Sequence, residues 1–158
     1  MIKQKILPLM SFILITFIAA FIGSLFTTPS IASWYRNLNK PSFAPPNFLF
    51  APVWTILFFL MAIAAFLVWQ NKNNPQAKKA LIFYFVQLAF NSLWSIIFFG
   101  LHNPGVAFLE IIILWLLILL TLIKFYKIQK IAGLLLVPYL LWVSFASFLN
   151  IFVWLLNK

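Results

Sequence analysis

Ser33-Trp-Tyr-Arg-Asn-Leu-Asn-Lys-Pro-Ser-Phe-Ala-Pro-Pro-Asn-Phe-Leu-Phe-Ala-Pro-Val-Trp54 is the long break in a chain that is otherwise almost continuous hydrocarbon. It holds four of the nine prolines and two of the seven tryptophans. It is too polar and too proline-broken to cross a bilayer. Long loops in compact proteins are usually functional or disordered, and the low hydrophobicity that marks disorder is missing here. The stretch therefore reads as an ordered cap over a pocket between membrane-spanning helices.

Outward from that stretch, composition decides the class. Of 158 residues, 65% are hydrophobic and 8% are charged, against roughly half and a quarter in soluble domains. The chain is expected to form a single membrane domain over residues 1–158. A net charge of +10 would ordinarily suggest nucleic acid, but the cations sit in short clusters between apolar runs, as membrane topology places them. No nucleic-acid partner is expected; the lipid bilayer is. With no cysteine, one histidine and one acidic residue, the chain cannot assemble a thiolate site, a triad, a carboxylate pair or a metal cluster. No metal and no required cofactor are expected. Any chemistry must come from aromatics, amides, hydroxyls, a ligand or light.

Five apolar runs approach the ~20 residues that a spanning helix needs: about 6–27, 48–69, 80–100, 105–123 and 134–156. Pro29 follows the first, Asn71–Pro75 separates the second from the third, and His102-Asn-Pro-Gly105 is a tight turn before the fourth. The expectation is all-α: an integral membrane five-helix bundle with a long structured loop between the first two helices. The first run is longer than a signal-peptide core and carries Thr16, Ala20, Gly23 and Thr27 on one face, so a retained helix is expected. Lys3, Lys5, Lys72, Lys78, Lys79, Lys124, Lys127 and Lys130 fall on one side, and Arg36, Lys40 and Lys158 on the other. This bias puts the N-terminus in the cytoplasm, and the long loop and C-terminus outside, with a bacterial inner membrane as the expected location.

Three runs share a pattern. The third carries Tyr84, Gln87, Asn91, Trp94, Ser95 and Phe98 on one helical stripe. Such polar groups face a bundle interior, either as inter-helical hydrogen bonds or as a ligand wall. The fifth has Tyr139, Trp142, Ala146 and Asn150, and the second has Trp54, Phe58, Ala62, Ala65 and Trp69. Trp54, Trp94 and Trp142 share faces with small or polar residues and are read as inward. Trp69, Trp115 and Trp154 are read as an interfacial belt, to which Trp34 is also suited. Glu110, the single acid, is expected near the start of the fourth helix, satisfied by neighbouring amides or indoles. His102 is read as a turn residue.

These residues together resemble the TspO/MBR family, the bacterial tryptophan-rich sensory proteins and the mitochondrial translocator protein, or peripheral benzodiazepine receptor. The resemblance rests on Trp34-Tyr35, Leu38-Asn-Lys-Pro41, Pro45-Pro46 and Val53-Trp54, on Gln87, Asn91, Trp94 and Phe98-Phe99, and on Pro138-Tyr139, Trp142, Phe145-Ala146 and Leu149-Asn150. It implies a bundle, often a homodimer, whose pocket lies beneath the first loop and takes porphyrins such as protoporphyrin IX, or benzodiazepine-type ligands. It implies pocket residues Gly23, Trp34, Tyr35, Pro45, Pro46, Trp54, Phe58, Gln87, Asn91, Trp94, Phe98, Tyr139, Trp142, Ala146 and Asn150. Where relatives degrade porphyrin with light and oxygen, Trp54 and Trp142 would be the catalytic indoles; a non-catalytic regulatory membrane protein is the other alternative.

Physical chemistry agrees with a porphyrin. Flat aromatic faces suit the macrocycle, and Arg36 and Lys40 at the mouth suit its carboxylates. With His102 in a turn, no side chain is placed as an axial ligand, so the metal-free macrocycle fits better. Phe43 and Phe58 depart from the Trp and Tyr usual in the family. The segment Ile151–Lys158 lacks the Tyr of a sterol motif, so sterol binding is not expected.

Overall fold

The structure is a computed structural model that describes residues 3–158, with side chains from Lys5 onward; Lys3 of the charge count lies outside the described side chains. Among the described residues six α-helices follow in order: α1 (Lys3–Ala32), α2 (Phe50–Trp69), α3 (Pro75–Ser95), α4 (Pro104–Ile128), α5 (Lys130–Leu134) and α6 (Val137–Leu156). The short α5 runs into α6, so five helical stretches are long and apolar enough to cross a membrane. A ring of exposed Leu, Ile and Phe covers the outside of the bundle, as expected where the solvent is hydrocarbon.

The helix ends differ from the sequence reading in instructive ways. Pro29 was expected to end α1, yet the helix continues to Ala32. Proline removes one N–H from the ladder, but the Ser30 hydroxyl donates to the Phe99 carbonyl at 2.8 Å, and Trp34 N–H donates to Ser30 at 3.0 Å. Anchored to the turn that follows α3 and with hydrogen bonds on both sides, the last turn has no reason to unwind. α3 starts at Pro75 rather than near residue 80 because Asn74 caps it, accepting from Gln76 N–H at 2.9 Å. α4 starts at Pro104, where Asn103 accepts from Val106 N–H at 3.1 Å, and runs to Ile128. Between them His102 makes the turn at φ 51°.

Two devices shape the end of the bundle nearest the loop. Residues Ile96–Gly100 form a π-helical turn, closed by Leu101 N–H to the Ile96 carbonyl at 2.9 Å. Within this turn the adjacent Phe98 and Phe99 are both buried. Along α1, Ala19 and Gly23 pack internally: Ser92 of α3 donates to the Ala19 carbonyl at 2.8 Å. A Cβ on Gly23 would stand 3.1 Å from the Ser95 hydroxyl.

The main core cluster includes the fully buried Met61, Ala64, Ala65, Tyr84, Ile118 and Phe125, and a second cluster of Tyr35, Phe98, Phe99, Ala107, Leu149 and Val153 lies at the loop end. Tyr84 exchanges a hydrogen bond with Thr16 and stacks on Phe125, tying α1, α3 and α4 at the end remote from the loop.

Candidate ligand cavity

The loop between α1 and α2 is ordered, with helical turns at Tyr35–Asn37 and Asn47–Leu49. Its clasp is Lys40. The ammonium donates to the carbonyls of Tyr35 (2.9 Å), Leu38 (2.9 Å) and Arg36 (3.2 Å) and lies 5.0 Å from the Tyr35 ring centre. Three donors meet three acceptors, so Lys40 is turned into the loop and is not free for a ligand carboxylate. Asn157, beyond α6, accepts from Asn39 N–H at 2.9 Å and donates to the Asn39 carbonyl at 2.8 Å, holding the loop down. Trp34 stacks on His102 with ring centres 4.4 Å apart.

Beneath the loop lies a cavity of about 540 Å³, within the roughly 300–1,000 Å³ of small-molecule sites. Its walls come from α1, α2, α3 and α6, with Tyr35 and Asn47 from the loop. Trp54, Trp94 and Trp142 all line it, with Phe58 and Phe98 beside them and Gly23 and Ala146 leaving space. Trp54 meets Phe58 at 5.6 Å, Trp94 stacks on Phe98 at 5.0 Å, and Trp142 meets Phe145 at 5.6 Å. Towards the seam between α1 and α2 the cavity is open, since Phe21, Ser24, Ala51 and Thr55 line it and are exposed as well.

Polar groups in the walls are mostly paired across helices. Trp94 donates its indole N–H to Asn150 at 2.9 Å, and Asn150 donates to the Pro104 carbonyl at 2.7 Å. Asn91 donates to the Tyr139 hydroxyl at 3.0 Å, and that hydroxyl donates to Gln87 at 2.9 Å. Both readings of the α3 stripe therefore hold for different members. Asn91, Trp94, Ser95 and Phe98 line the cavity, whereas Gln87 and Tyr139 lie behind it and knit α3 to α6. The Trp142 indole nitrogen and Tyr35 hydroxyl are buried without a hydrogen-bond partner. Burial pushes the Tyr35 phenol up to about 12, so it stays neutral at ordinary pH.

Sequence reasoning placed other residues less well. Trp34, Pro45, Pro46, Gln87, Tyr139, Arg36 and Lys40 do not line the cavity. Arg36 is exposed beside Tyr35, at the loop end. Glu110 was expected to find amide or indole partners; it is buried with neither carboxyl oxygen reaching a donor. Trp115, read as a belt residue, donates to Ser144 of α6 at 2.7 Å. What sequence reasoning missed is the α1 wall, including Phe17, Ala20 and Thr27. Of this wall only Gly23 is among the residues the family resemblance implies; Ala20 and Thr27 share its face at helical spacing, the one signal that extends the wall.

A capped, aromatic-walled cavity inside a five-span helical bundle defines a class of integral membrane protein built around an internal small-molecule chamber. Comparison with known proteins is consistent and more specific. The model of the TspO/MBR family matches residues 12–155. The chain is 45% identical to the tryptophan-rich protein TspO of Archaeoglobus fulgidus over 98% of this chain and 99% of that one. It is 42% identical to a tryptophan-rich sensory protein of Cereibacter sphaeroides (86% and 85% covered) and 35% identical to the human translocator protein (93% and 88% covered). This chain belongs to the TspO/MBR family.

Proposed function

We propose that this chain is a membrane receptor or sensor for a planar apolar ligand of the tetrapyrrole type, protoporphyrin IX being the reference compound. The observation that carries the reading is the loop-capped cavity, in which three indoles and several phenyl rings surround a slot kept open by glycine and alanine. The names of its relatives, sensory protein and translocator protein, support the same class. Among the described residues no charged side chain lines the cavity. The macrocycle goes inside, and we assign its carboxylates to the loop end, where the exposed Arg36 offers a bidentate guanidinium. The charge bias supports an orientation with the lysine-rich end in the cytoplasm of a bacterial cell.

The test is titration of detergent-purified protein with protoporphyrin IX in the dark, followed by tryptophan fluorescence. Saturable quenching is expected, with Trp142→Phe binding roughly three- to tenfold more weakly, the worth of one aromatic pair. No saturable quenching, or a Trp142→Phe variant indistinguishable from the parent, overturns the reading. Illuminating the same samples with oxygen present decides between receptor and enzyme. A new absorbing product that is lost in Trp54→Phe or Trp142→Phe would establish porphyrin degradation.

A further inference from the structure

At the end of the bundle remote from the loop, a second, apolar groove of about 290 Å³ runs between α1, α2 and α3, lined by Pro8, Ser11, Phe12, Ile15, Trp69 and Phe85, with Leu7 at its edge. Phe12 forms its floor, edge-on to Trp69 at 6.5 Å and stacked on Phe85 at 6.3 Å. Ser11, its one polar side chain, is turned back onto its own helix, donating to the Leu7 carbonyl at 2.9 Å.

Charge surrounds one end of this groove. The Lys72 ammonium sits 4.4 Å from the Trp69 ring centre, at the groove's edge. Lys5 precedes Pro8 by three residues and Phe12 by seven, which puts it on the same face of α1. Both lysines are exposed. Lys78, Lys79, Lys124, Lys127 and Lys130 complete the same end, and the sequence has a single carboxylate side chain, Glu110, in the opposite half of α4. The protein therefore cannot neutralise these cations itself.

We propose that this groove is a binding site for one anionic phospholipid, its acyl chain lying along Phe12, Ile15 and Phe85 and its headgroup phosphate held by Lys72 and Lys5. An acyl chain suits the apolar channel, and an anionic headgroup suits two cations with no protein counter-charge. A phosphate alone would leave the apolar groove uncovered, and a zwitterionic lipid would bring its own cation to the lysines. The site is separate from the loop-end cavity, and its occupancy does not depend on which ligand that cavity takes.

The experiment is native mass spectrometry of the full chain released from mixed phosphatidylglycerol and phosphatidylcholine nanodiscs, with Lys5→Gln/Lys72→Gln, Lys127→Gln and Ser11→Phe compared with the parent. One tightly retained phosphatidylglycerol is expected, weakened about 25-fold in Lys5→Gln/Lys72→Gln (about fivefold per lysine), unaffected by Lys127→Gln, and displaced by Ser11→Phe, which fills the groove. Inorganic phosphate should not compete. Equal retention of the two lipids, an equal effect of Lys127→Gln, competition by inorganic phosphate, or indifference to Ser11→Phe would each overturn the proposal. The lysine changes are on exposed side chains, so these variants keep the comparison open should Ser11→Phe fail to fold.

Discussion

Tyr139 shows how single residues hold the cavity's back wall. Its hydroxyl accepts from Asn91 and donates to Gln87, so one oxygen serves two buried amides. Interhelical hydrogen bonds in bilayers average only ~0.6 kcal/mol, but stranding a buried polar group costs ~1–3 kcal/mol. Tyr139→Phe strands two such groups and leaves the packing intact. It should lower stability by about 2–6 kcal/mol, read as a reduced midpoint of thermal unfolding in detergent, with little loss of cavity volume. Replacement of Tyr139 at no cost in midpoint would show that the amides re-pair elsewhere. Lys40 teaches the complementary point: a cation beside a cavity mouth is available to a ligand only if the backbone has not already claimed its protons.

Among the elements, α1 is the least enclosed and the most consequential for the cavity. Its apolar window is only 17% buried, and it supplies the wall that borders the open seam. What fixes it in place is a narrow line of contacts: Thr16 to Tyr84, the Ala19 carbonyl to Ser92, Gly23 against Ser95, and Ser30 to Phe99. Gly23 lies on that line, and it also faces the cavity. Gly23→Leu should both push α1 away from α3 and intrude on the chamber, costing ~1–3 kcal/mol as an overpacked contact. The expected readout is a lower unfolding midpoint together with weakened protoporphyrin quenching. An unchanged midpoint and unchanged binding would mean that α1 can move aside freely.

Across the whole molecule, the two ends of the bundle are built differently. The loop end is closed by the Lys40 clasp, the Asn39–Asn157 bonds and aromatic contacts, and the far end is ringed by lysines. Closure at the loop end depends on Asn39 and Asn157, which lie 118 residues apart and bind each other twice. Asn157→Ala removes both bonds while leaving the cavity lining untouched. It should increase protease sensitivity of the loop and speed ligand release several-fold, with a smaller effect on the rate of entry through the open seam. Faster release without greater protease sensitivity would place the exit at the seam rather than under the loop.

Composition and pattern were enough to determine a membrane bundle of five spans, the break between the first two, and the inward faces carrying Trp54, Trp94 and Trp142. Apolar runs of spanning length have one stable solution in a bilayer, and helical spacing assigns faces without knowledge of neighbours. Only the tertiary structure decided which residues on those faces meet a cavity and which meet one another. Gln87 and Asn91 share a stripe, yet one lies behind the wall and the other on it, because Tyr139 from α6 stands between them. The run of α1 through Pro29, the inward turn of Lys40 and the unpartnered burial of Glu110 were equally illegible. Each depends on groups distant in sequence or on backbone atoms, whose positions no local pattern encodes. A hydrogen bond from Ser30 to Phe99 or from Asn39 to Asn157 exists only once the helices have been brought side by side.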